Sequence, residues 1–251
     1  MKSDRLYAWL LLLALLLGWE GLTHVMHFSA LVLPAPSVVA AALWRGLVSG
    51  YLWPHLMQTL LELVLGLLSG CVLGFSSGIL MAESPRLRST LMPYVLTSQV
   101  VPKLALAPLF IVWFGFGTLP IVVMTALICF FPLMENTLTS LQQVDANRLE
   151  LFRVLGATRA QTLWRLKIPA GLPVILAGLR VAVVLALVGA VVGEFVGASK
   201  GLGALIIAAQ GSMDTPLMFA VLLLITLLGL TLYQLTLALE QWLLKPYTRT
   251  V

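Results

Sequence analysis

Charged side chains collect in one stretch of the second half of the chain, residues 145–173, between long apolar runs. They are Asp145, Arg148, Glu150, Arg153, Arg159, Arg165 and Lys167. Carboxylate, guanidinium and ammonium groups at such spacing offer ion pairs and hydrogen bonds to another protein surface. The stretch therefore predicts a docking segment for a partner in the cytoplasm.

Catalytic patterns are absent from the sequence. No G-x-x-x-x-G-K-[ST] occurs that could cradle nucleotide phosphates, and the glycine-rich Gly197–Gly203 lacks the Lys-Ser/Thr ending. No Ser/His/Asp order and no pair of catalytic carboxylates is found. Cys71 and Cys129 lie far apart, and His24 and His27 are interpreted as residues of the membrane interface. We therefore expect neither an enzyme nor a metal site.

Two short helices joined by a bend are predicted within the charged stretch. Leu149, Phe152 and Leu155 follow one another at i, i+3 and i+6, which places one apolar stripe on an otherwise charged helix. Gly156 comes next, where the C-terminus of a helix favours a left-handed residue.

The second short helix has its own start and stop signals. Thr158 and Gln161 match a capping box, in which each residue caps the backbone of the other. Pro169 and Pro173 predict that this helix ends before the next apolar run begins.

The composition is that of a membrane protein. Of the 251 residues, 60% are hydrophobic and only 10% are charged, whereas a soluble domain has roughly 25% charged residues. The mean hydropathy is +1.03. The net charge of +5 comes from residues that flank apolar runs. We assign it to membrane lipids and membrane orientation and expect no nucleic-acid partner.

About six membrane spans of roughly 20 residues fit this length. They are predicted at residues 6–19, 56–82, 91–114, 121–138, 174–195 and 217–239. Residues 38–47 form an amphipathic stretch that we expect to lie along the outer face. The first apolar run could also be a cleaved signal peptide, but no small-x-small cleavage site follows it promptly, so we favour a retained span.

The predicted spans divide the chain into two parts, and the basic residues between them indicate its orientation in the membrane. Residues 1–55 contain the first span and the outer stretch, and residues 56–245 form the core, with a cytoplasmic loop at residues 141–173. Of the 15 Lys and Arg residues, all but four lie in loops or termini on one side; Arg45 and Lys200 lie outside. Because loops rich in Lys and Arg stay in the cytoplasm, both termini are predicted to be cytoplasmic.

Glycines recur at every fourth residue in two of the predicted spans. The first ridge is Gly66, Gly70, Gly74 and Gly78, and the second is Gly189, Gly193 and Gly197. A ridge of small residues lets a second helix approach closely. For the first ridge we favour packing within one subunit over a seam between two subunits.

The charged stretch also carries a family spacing. Glu150 is followed by Gly156 and then by Leu166-Lys167-Ile168-Pro169. This is similar to the cytoplasmic signature of bacterial ABC-importer permeases, a loop of the form E-A-A, three residues, G, nine residues, I-x-L-P. Leu151 and Phe152 stand where that family often has two alanines, while the spacing is intact.

A second segment supports the resemblance and narrows it. Residues 102–117, PKLALAPLFIVWFGFG, resemble the branch that transports nitrate, sulfonates and the pyrimidine precursor of thiamine. The resemblance covers most of the chain from about residue 33 onward.

The resemblance implies an all-helical, polytopic protein with the type I importer fold of methionine and maltose permeases. It would be the permease subunit of an ATP-driven importer in the bacterial inner membrane. Its partners would be two cytoplasmic ABC ATPase subunits, a second permease copy, membrane lipids and a periplasmic or lipid-anchored solute-binding protein. ATP and Mg²⁺ would bind in the ATPase, so no cofactor is expected in this chain. The expected solute is the thiamine precursor, nitrate, a sulfonate or taurine.

The resemblance also assigns a role to the charged stretch, which would dock on the ATPase. The residues expected at this coupling helix are Leu149, Glu150, Phe152, Arg153, Leu155, Gly156, Ala157 and Thr158. Their apolar members would fill a groove on the ATPase, and Glu150 would pair with a basic residue there. Gly156 would let the tip turn without a side chain in the way.

Three ionisable residues in or beside the spans are candidates for the substrate pathway. Glu62 lies near the outer end of its span, where it could instead reach the interface. Lys103 would attract an anionic solute, although snorkelling or bonding a carbonyl freed near Pro108 fits equally well. Glu194, at the outer end of the fifth span, is a candidate for the outer gate or for the dock of the binding protein.

Two other classes of function stay open. An ion-coupled secondary transporter would itself bind a coupling ion at mid-membrane, and a structural subunit of a membrane complex would not transport at all. Inactivation of a separate ATPase stops transport only in the importer. Loss of transport in a Gly156 variant that still assembles would argue against a purely structural subunit.

Overall fold

The computed structural model describes residues 2–248, with side chains for residues 6, 7 and 10–245. Its α-helices are α1 (Lys2–Val25), α2 (Pro36–Val48), α3 (Trp53–Glu83), α4 (Pro85–Val100), α5 (Ala107–Phe114), α6 (Thr118–Gln142), α7 (Ala146–Val154), α8 (Arg159–Thr162), α9 (Ile168–Gly197), α10 (Leu202–Gly211) and α11 (Thr215–Thr248). A 3₁₀ turn, Lys103–Leu106, precedes α5, and a π-turn, Leu163–Lys167, joins α8 to α9. Within residues 2–248 every regular element is helical, which confirms the all-helical prediction.

Within the described part of the chain, four helical segments are long and apolar enough to cross a membrane: α3, α6, α11 and the continuous run Arg159–Gly197. Helices α4 and α5 meet the same criterion only as a bent pair. Helix α1, with its apolar residues Leu10–Val25, is the remaining candidate at the position of the first predicted span.

The third predicted span, residues 91–114, is not one straight helix. Helix α4 ends at Val100, and the chain turns by 82° before α5. Pro102 has no N–H to continue the helical hydrogen bonds, and the residue before a proline is pushed towards an extended conformation. Val101 accordingly has ψ 124°. The third predicted span is therefore broken at this proline, which lies within the apolar run.

Helix α6 is the centre of the bundle, and both glycine ridges pack against it except at Gly197, which meets Ile111 of α5. On α3, a Cβ added to Gly70 would lie 2.6 Å from the carbonyl oxygen of Ala126, and one added to Gly74 would lie 2.5 Å from that of Phe130. On α9, a Cβ at Gly193 would lie 2.7 Å from Met124 Cε. The same close approach to α6 is found at Gly66, Gly78 and Gly189. These contacts lie within one chain, so the ridges serve packing inside the subunit.

The segment that follows α9 folds back into the protein as α10. Leu202, Leu205 and Ile206 are buried with Leu52, just before α3, and with Val221 of α11. Helix α10 therefore closes the end of the bundle at which α3 begins and α9 ends. This position brings the residues after Glu194 onto the first turns of α3.

The predicted amphipathic stretch is helix α2. Val39 and Ala42 are buried against Ala220 of α11, whereas Trp44 and Val48 are exposed. Helix α2 thus covers one side of α11 with its inner face, and its outer face exposes the side chain of Trp44.

Candidate functional site: an uncovered elbow and a buried carboxylate cluster

The charged stretch forms an elbow, residues 145–167, which consists of α7, a tight turn, α8 and the π-turn. Asp145 begins α7, because its side chain accepts hydrogen bonds from the backbone N–H groups of Asn147 at 2.7 Å and Arg148 at 3.3 Å. Such an N-cap satisfies donors that have no partner inside the helix.

The turn of the elbow depends on one glycine. Gly156 has φ +69°, and the N–H of Ala157 donates to the carbonyl of Phe152 at 3.0 Å. The N–H of Gly156 donates to the carbonyl of Arg153 at 3.0 Å. This pair of bonds is a Schellman motif, in which glycine takes the left-handed position at no steric cost. The predicted helix end is therefore present.

The predicted capping box is also present at the start of α8. The N–H of Gln161 donates to Thr158 Oγ1 at 3.2 Å, and the N–H of Thr158 donates to Gln161 Oε1 at 2.8 Å. These reciprocal bonds fix the direction in which the second half of the elbow leaves the turn.

The sequence predicted that the second short helix stops at Pro169, but the helix continues past this residue. It passes through the π-turn Leu163–Lys167 and continues as α9 to Gly197. A proline ring in a regular helix meets the carbonyl four residues earlier, which here is Arg165, inside the π-turn. Because a π-turn replaces the regular i→i+4 hydrogen bonds, the proline is accommodated and the elbow is built directly onto a spanning helix.

The elbow exposes apolar side chains that its own chain does not cover. No residue of α7 is buried, and Val154 and Leu155 are 78% and 71% exposed. Leu151 and Trp164 are exposed as well. An apolar cluster of this kind, surrounded by charges, is typical of a protein–protein contact.

The exposed set differs from the predicted stripe. Leu149, Phe152 and Ala157 are half-buried, and only Leu155 of the predicted apolar residues is fully exposed. Leu151 was not among the predicted residues, although it precedes Leu155 by four residues and so shares its helix face.

Two charged residues of the elbow form an ion pair with each other. The carboxylate of Glu150 accepts a hydrogen bond from Arg153 Nη1 at 3.0 Å, and both side chains are exposed. An exposed pair at i, i+3 contributes little to stability, so either group is available to a partner.

Glu194 lies in a buried cluster at the end of the bundle that α10 closes. It is 1% exposed, and its Oε1 accepts a hydrogen bond from Thr59 Oγ1 at 2.6 Å. Its Oε2 accepts from the N–H of Gly203 at 2.6 Å. Thr59 Oγ1 in turn accepts from the N–H of Leu202 at 2.8 Å. Glu194 and Thr59 together hold the first turn of α10 against α3.

Glu62 lies one turn further along α3 and is also 1% exposed. The amide Nε2 of Gln58 donates to Glu62 Oε1 at 2.7 Å and to Thr118 Oγ1 at 2.9 Å. Glu62 Oε2 has no hydrogen-bond partner among the described residues. The side chain is therefore enclosed by the protein and is not exposed on its surface.

Lys103 lies apart from these two carboxylates. It begins the 3₁₀ turn after the bend, is half-buried, and donates a hydrogen bond from Nζ to Gln99 Oε1. Of the three pathway candidates, the structure thus brings Glu62 and Glu194 into one cluster and places Lys103 at the break between α4 and α5.

Comparison with known proteins places these features in a family. The model of the family described as "Binding-protein-dependent transport system inner membrane component" matches residues 63–245. The riboflavin transport system permease protein of Chloroflexus aurantiacus is 38% identical over 93% of this chain and 87% of its own. The formylaminopyrimidine transport permease protein of Halalkalibacterium halodurans is 36% identical over 88% of both chains.

A solved structure shows the same fold. The methionine ABC transporter MetNI, in an inward-facing conformation, matches with a TM-score of 0.67 at 19% identity. The match covers 76% of this chain and 94% of the other.

Proposed function

The chain belongs to the family of binding-protein-dependent transport system inner membrane components and is the permease subunit of an ATP-driven importer, and on that premise we propose that its elbow is the docking surface for a separate ATPase subunit. The observation that carries this proposal is the exposed apolar cluster on a rigidly capped turn that continues into α9. Leu155 and its neighbours would enter an apolar groove of the ATPase. Glu150 or Arg153 would exchange its local partner for an opposite charge on the ATPase.

The elbow would convert closure of the ATPase into movement of the permease. ATP and Mg²⁺ would bind and react in the ATPase, and this chain would be non-catalytic. Two permease copies would face each other across a two-fold axis, and closure of two ATPases would draw the two elbows together. Because α8, the π-turn and α9 form one continuous helical run, the displacement would tilt α9 as a rigid body.

The protein is a multi-pass membrane protein, and we place the elbow and both termini in the cytoplasm. The support is the distribution of basic residues: Arg148, Arg153, Arg159, Arg165 and Lys167 all lie in or beside the elbow. Segments rich in Lys and Arg remain on the cytoplasmic side. A bacterial inner membrane and a binding protein on its outer side follow from the same assignment.

The proposed solute is a small organic molecule, with the pyrimidine precursor of thiamine as the first candidate. The support is the similarity to a formylaminopyrimidine permease and to a riboflavin permease, both of which are named for nitrogen heterocycles. Nitrate, a sulfonate or taurine are the alternatives. The binding protein would select the solute and deliver it at the end of the bundle closed by α10.

Within the pathway we assign different roles to the three ionisable candidates. Lys103, beside a break in a span, would attract an anionic group, as broken helices do in other transporters. Glu194 has both oxygens engaged and would hold the outer gate. Glu62 has a free carboxylate oxygen beside that gate and would contact solute only after α10 moves.

Co-purification of the permease with a candidate ATPase tests the docking proposal. Wild type is compared with Leu155→Asp and Glu150→Lys, and with Met213→Asp, an exposed apolar residue in the turn after α10. We expect wild type and the Met213 variant to retain the ATPase and the two elbow variants to lose it. If all four retain it equally, the elbow is not the docking surface.

A second comparison separates the importer from an ion-coupled transporter. Uptake of the formylaminopyrimidine by the reconstituted complex is measured with an ATPase that binds but cannot hydrolyse ATP. Uptake that continues, and that follows an imposed ion gradient, would contradict the proposal.

A further inference from the structure

Lys167, at the base of the elbow, forms a short ion pair with the far end of α3. Its Nζ donates a hydrogen bond to Glu83 Oε1 at 2.6 Å, and the two side chains are only 18% and 27% exposed. Among the residues that the structure describes, this is the one side-chain hydrogen bond or ion pair that joins residues 145–167 to another part of the protein. All other side-chain bonds of the elbow are internal to it.

The ends of the neighbouring helices do not explain the position of Glu83. A carboxylate in the last turn of α3 is destabilising, because it lies at the negative end of that helix dipole. The same carboxylate is stabilising for α4, which begins at Pro85, because it lies near the positive end of that helix dipole. The two effects oppose each other. Ser84 already caps α4 by accepting from the N–H of Leu87 at 3.3 Å. The contact that distinguishes Glu83 is therefore its bond to Lys167.

The attachment point of Lys167 is the π-turn. Leu166 beside it is buried, whereas Trp164 and Arg165 are exposed. A π-turn is a local departure from regular helical bonding and often lies at a functional site. The elbow is consequently joined to α9 through the π-turn, and to α3 through a charged contact at the end of that turn.

Helix α3 links this contact to the opposite end of the protein. Its 31 residues span about 46 Å at roughly 1.5 Å per residue. Near its other end, Thr59 bonds Glu194 and the N–H of Leu202, which hold α10. Between the two ends the glycine ridge meets α6 as a smooth surface. A displacement of Glu83 along or across α6 is therefore carried to α10 by one continuous helix.

We propose that Glu83 and Lys167 are positioning residues that transmit displacement of the elbow to α3, and through α3 to the end of the permease closed by α10. The inference rests on the proposed docking of the ATPase on the elbow. Neither side chain contacts ATP or the ATPase in this scheme. Their ion pair makes the α3–α4 turn move together with the base of α9.

The test uses the complex with the co-purified ATPase in lipid vesicles and needs no solute. Ser199 is an exposed residue between α9 and α10, and it lines a surface cleft that also includes Glu194. It is changed to cysteine as a reporter. Its reaction rate with a membrane-impermeant maleimide is measured without nucleotide and with ATP and vanadate. Protein without this cysteine gives the blank, since Cys129 is buried and Cys71 lies in the middle of α3.

In the wild-type background we expect ATP and vanadate to change the rate. Glu83→Gln and Lys167→Gln should each retain the ATPase and reduce that change about fivefold or more, the range of ordinary coupling between sites. The exchanged pair Glu83→Lys with Lys167→Glu should restore it. Arg86→Gln, an exposed charge three residues from Glu83, is the matched control and should behave as wild type.

Three results would overturn the inference while leaving the docking proposal intact. One is a wild-type nucleotide response in both single variants. Another is an exchanged pair that assembles with the ATPase yet does not recover. If a single variant fails to assemble, the double variant Glu83→Gln with Lys167→Met is used instead, because it leaves no unpaired charge. A wild-type nucleotide response in this double variant would also overturn the inference. A wild-type permease that binds no ATPase contradicts the docking proposal itself.

Discussion

The conformation of Gly156 is the most sharply defined requirement of the elbow. Its φ of +69° lies in the left-handed region, and no atom lies within 4 Å of the position that a Cβ would occupy. A Cβ at this position therefore meets no residue beyond its two chain neighbours, and backbone strain is the main cost of a substitution. That strain is about 1–2 kcal/mol for an ordinary L residue and smaller for asparagine.

Gly156→Val should weaken binding of the ATPase about fivefold to thirtyfold, and Gly156→Asn should weaken it much less. This range applies when the valine elbow relaxes out of the strained bend in the free permease and has to recover it on binding, because the apparent affinity then falls with the fraction of elbows that have the docking bend. The conversion uses a factor of ten for about 1.4 kcal/mol. The measurement is a titration of detergent-solubilised permease with labelled ATPase.

Gly211→Val is the matched control for this comparison. Gly211 also has nothing within 4 Å of a Cβ, but its φ is outside the left-handed region, and it lies at the end of α10. It should leave the dissociation constant unchanged. Equal affinities of the valine and asparagine variants of Gly156 would refute the argument, because they would show that backbone conformation does not limit docking.

Three further variants test the packing, the outer cluster and the pathway. Gly70→Ala should lower the stability of the permease by about 1–3 kcal/mol, because its Cβ would lie 2.6 Å from a backbone oxygen of α6. Thermal unfolding in detergent measures this loss, and the control variant Gly211→Ala should be as stable as wild type. Thr59→Val removes a hydroxyl that serves both Glu194 and α10 and should cost about 1–3 kcal/mol in the same assay. Lys103→Met should lower uptake of a sulfonate and leave uptake of a neutral pyrimidine unchanged; an equal loss of both would identify a structural role.

The features of the elbow that the sequence predicted are those set by neighbours in the chain. The left-handed Gly156 and the capping box of Thr158 and Gln161 each need only a few consecutive residues, and both occur as expected. The stop at Pro169 failed because the π-turn before it changes the hydrogen-bond pattern that makes a proline disruptive. Nothing in the local spacing of residues 163–167 distinguishes a π-turn from a regular helix.

The buried cluster could not be predicted because it depends on distant parts of the chain. Thr59 and Glu194, which belong to this cluster, are 135 positions apart. The same holds for the ion pair at the opposite end of α3, because Lys167 and Glu83 are 84 positions apart. Sequence identified Glu62 and Glu194 as unusual, since a carboxylate in a span needs a reason. It left open whether that reason was a solute, the interface or a structural bond, and the answer depends on where α10 folds.

Helix α3 is attached at both ends by polar contacts and packs between them along a glycine ridge, and this arrangement yields a stringent prediction. Changes at sites more than about 10 Å apart normally add, and Thr59 and Glu83 are separated by 24 residues of one helix, about 36 Å. If α3 transmits movement as a rod, loss of either end should interrupt the same step. The double variant Thr59→Val with Glu83→Gln should then reduce the nucleotide response at Ser199→Cys no further than the more severe single variant. Additive losses would show that the two ends act independently, and α3 would then not be the connection between the elbow and α10.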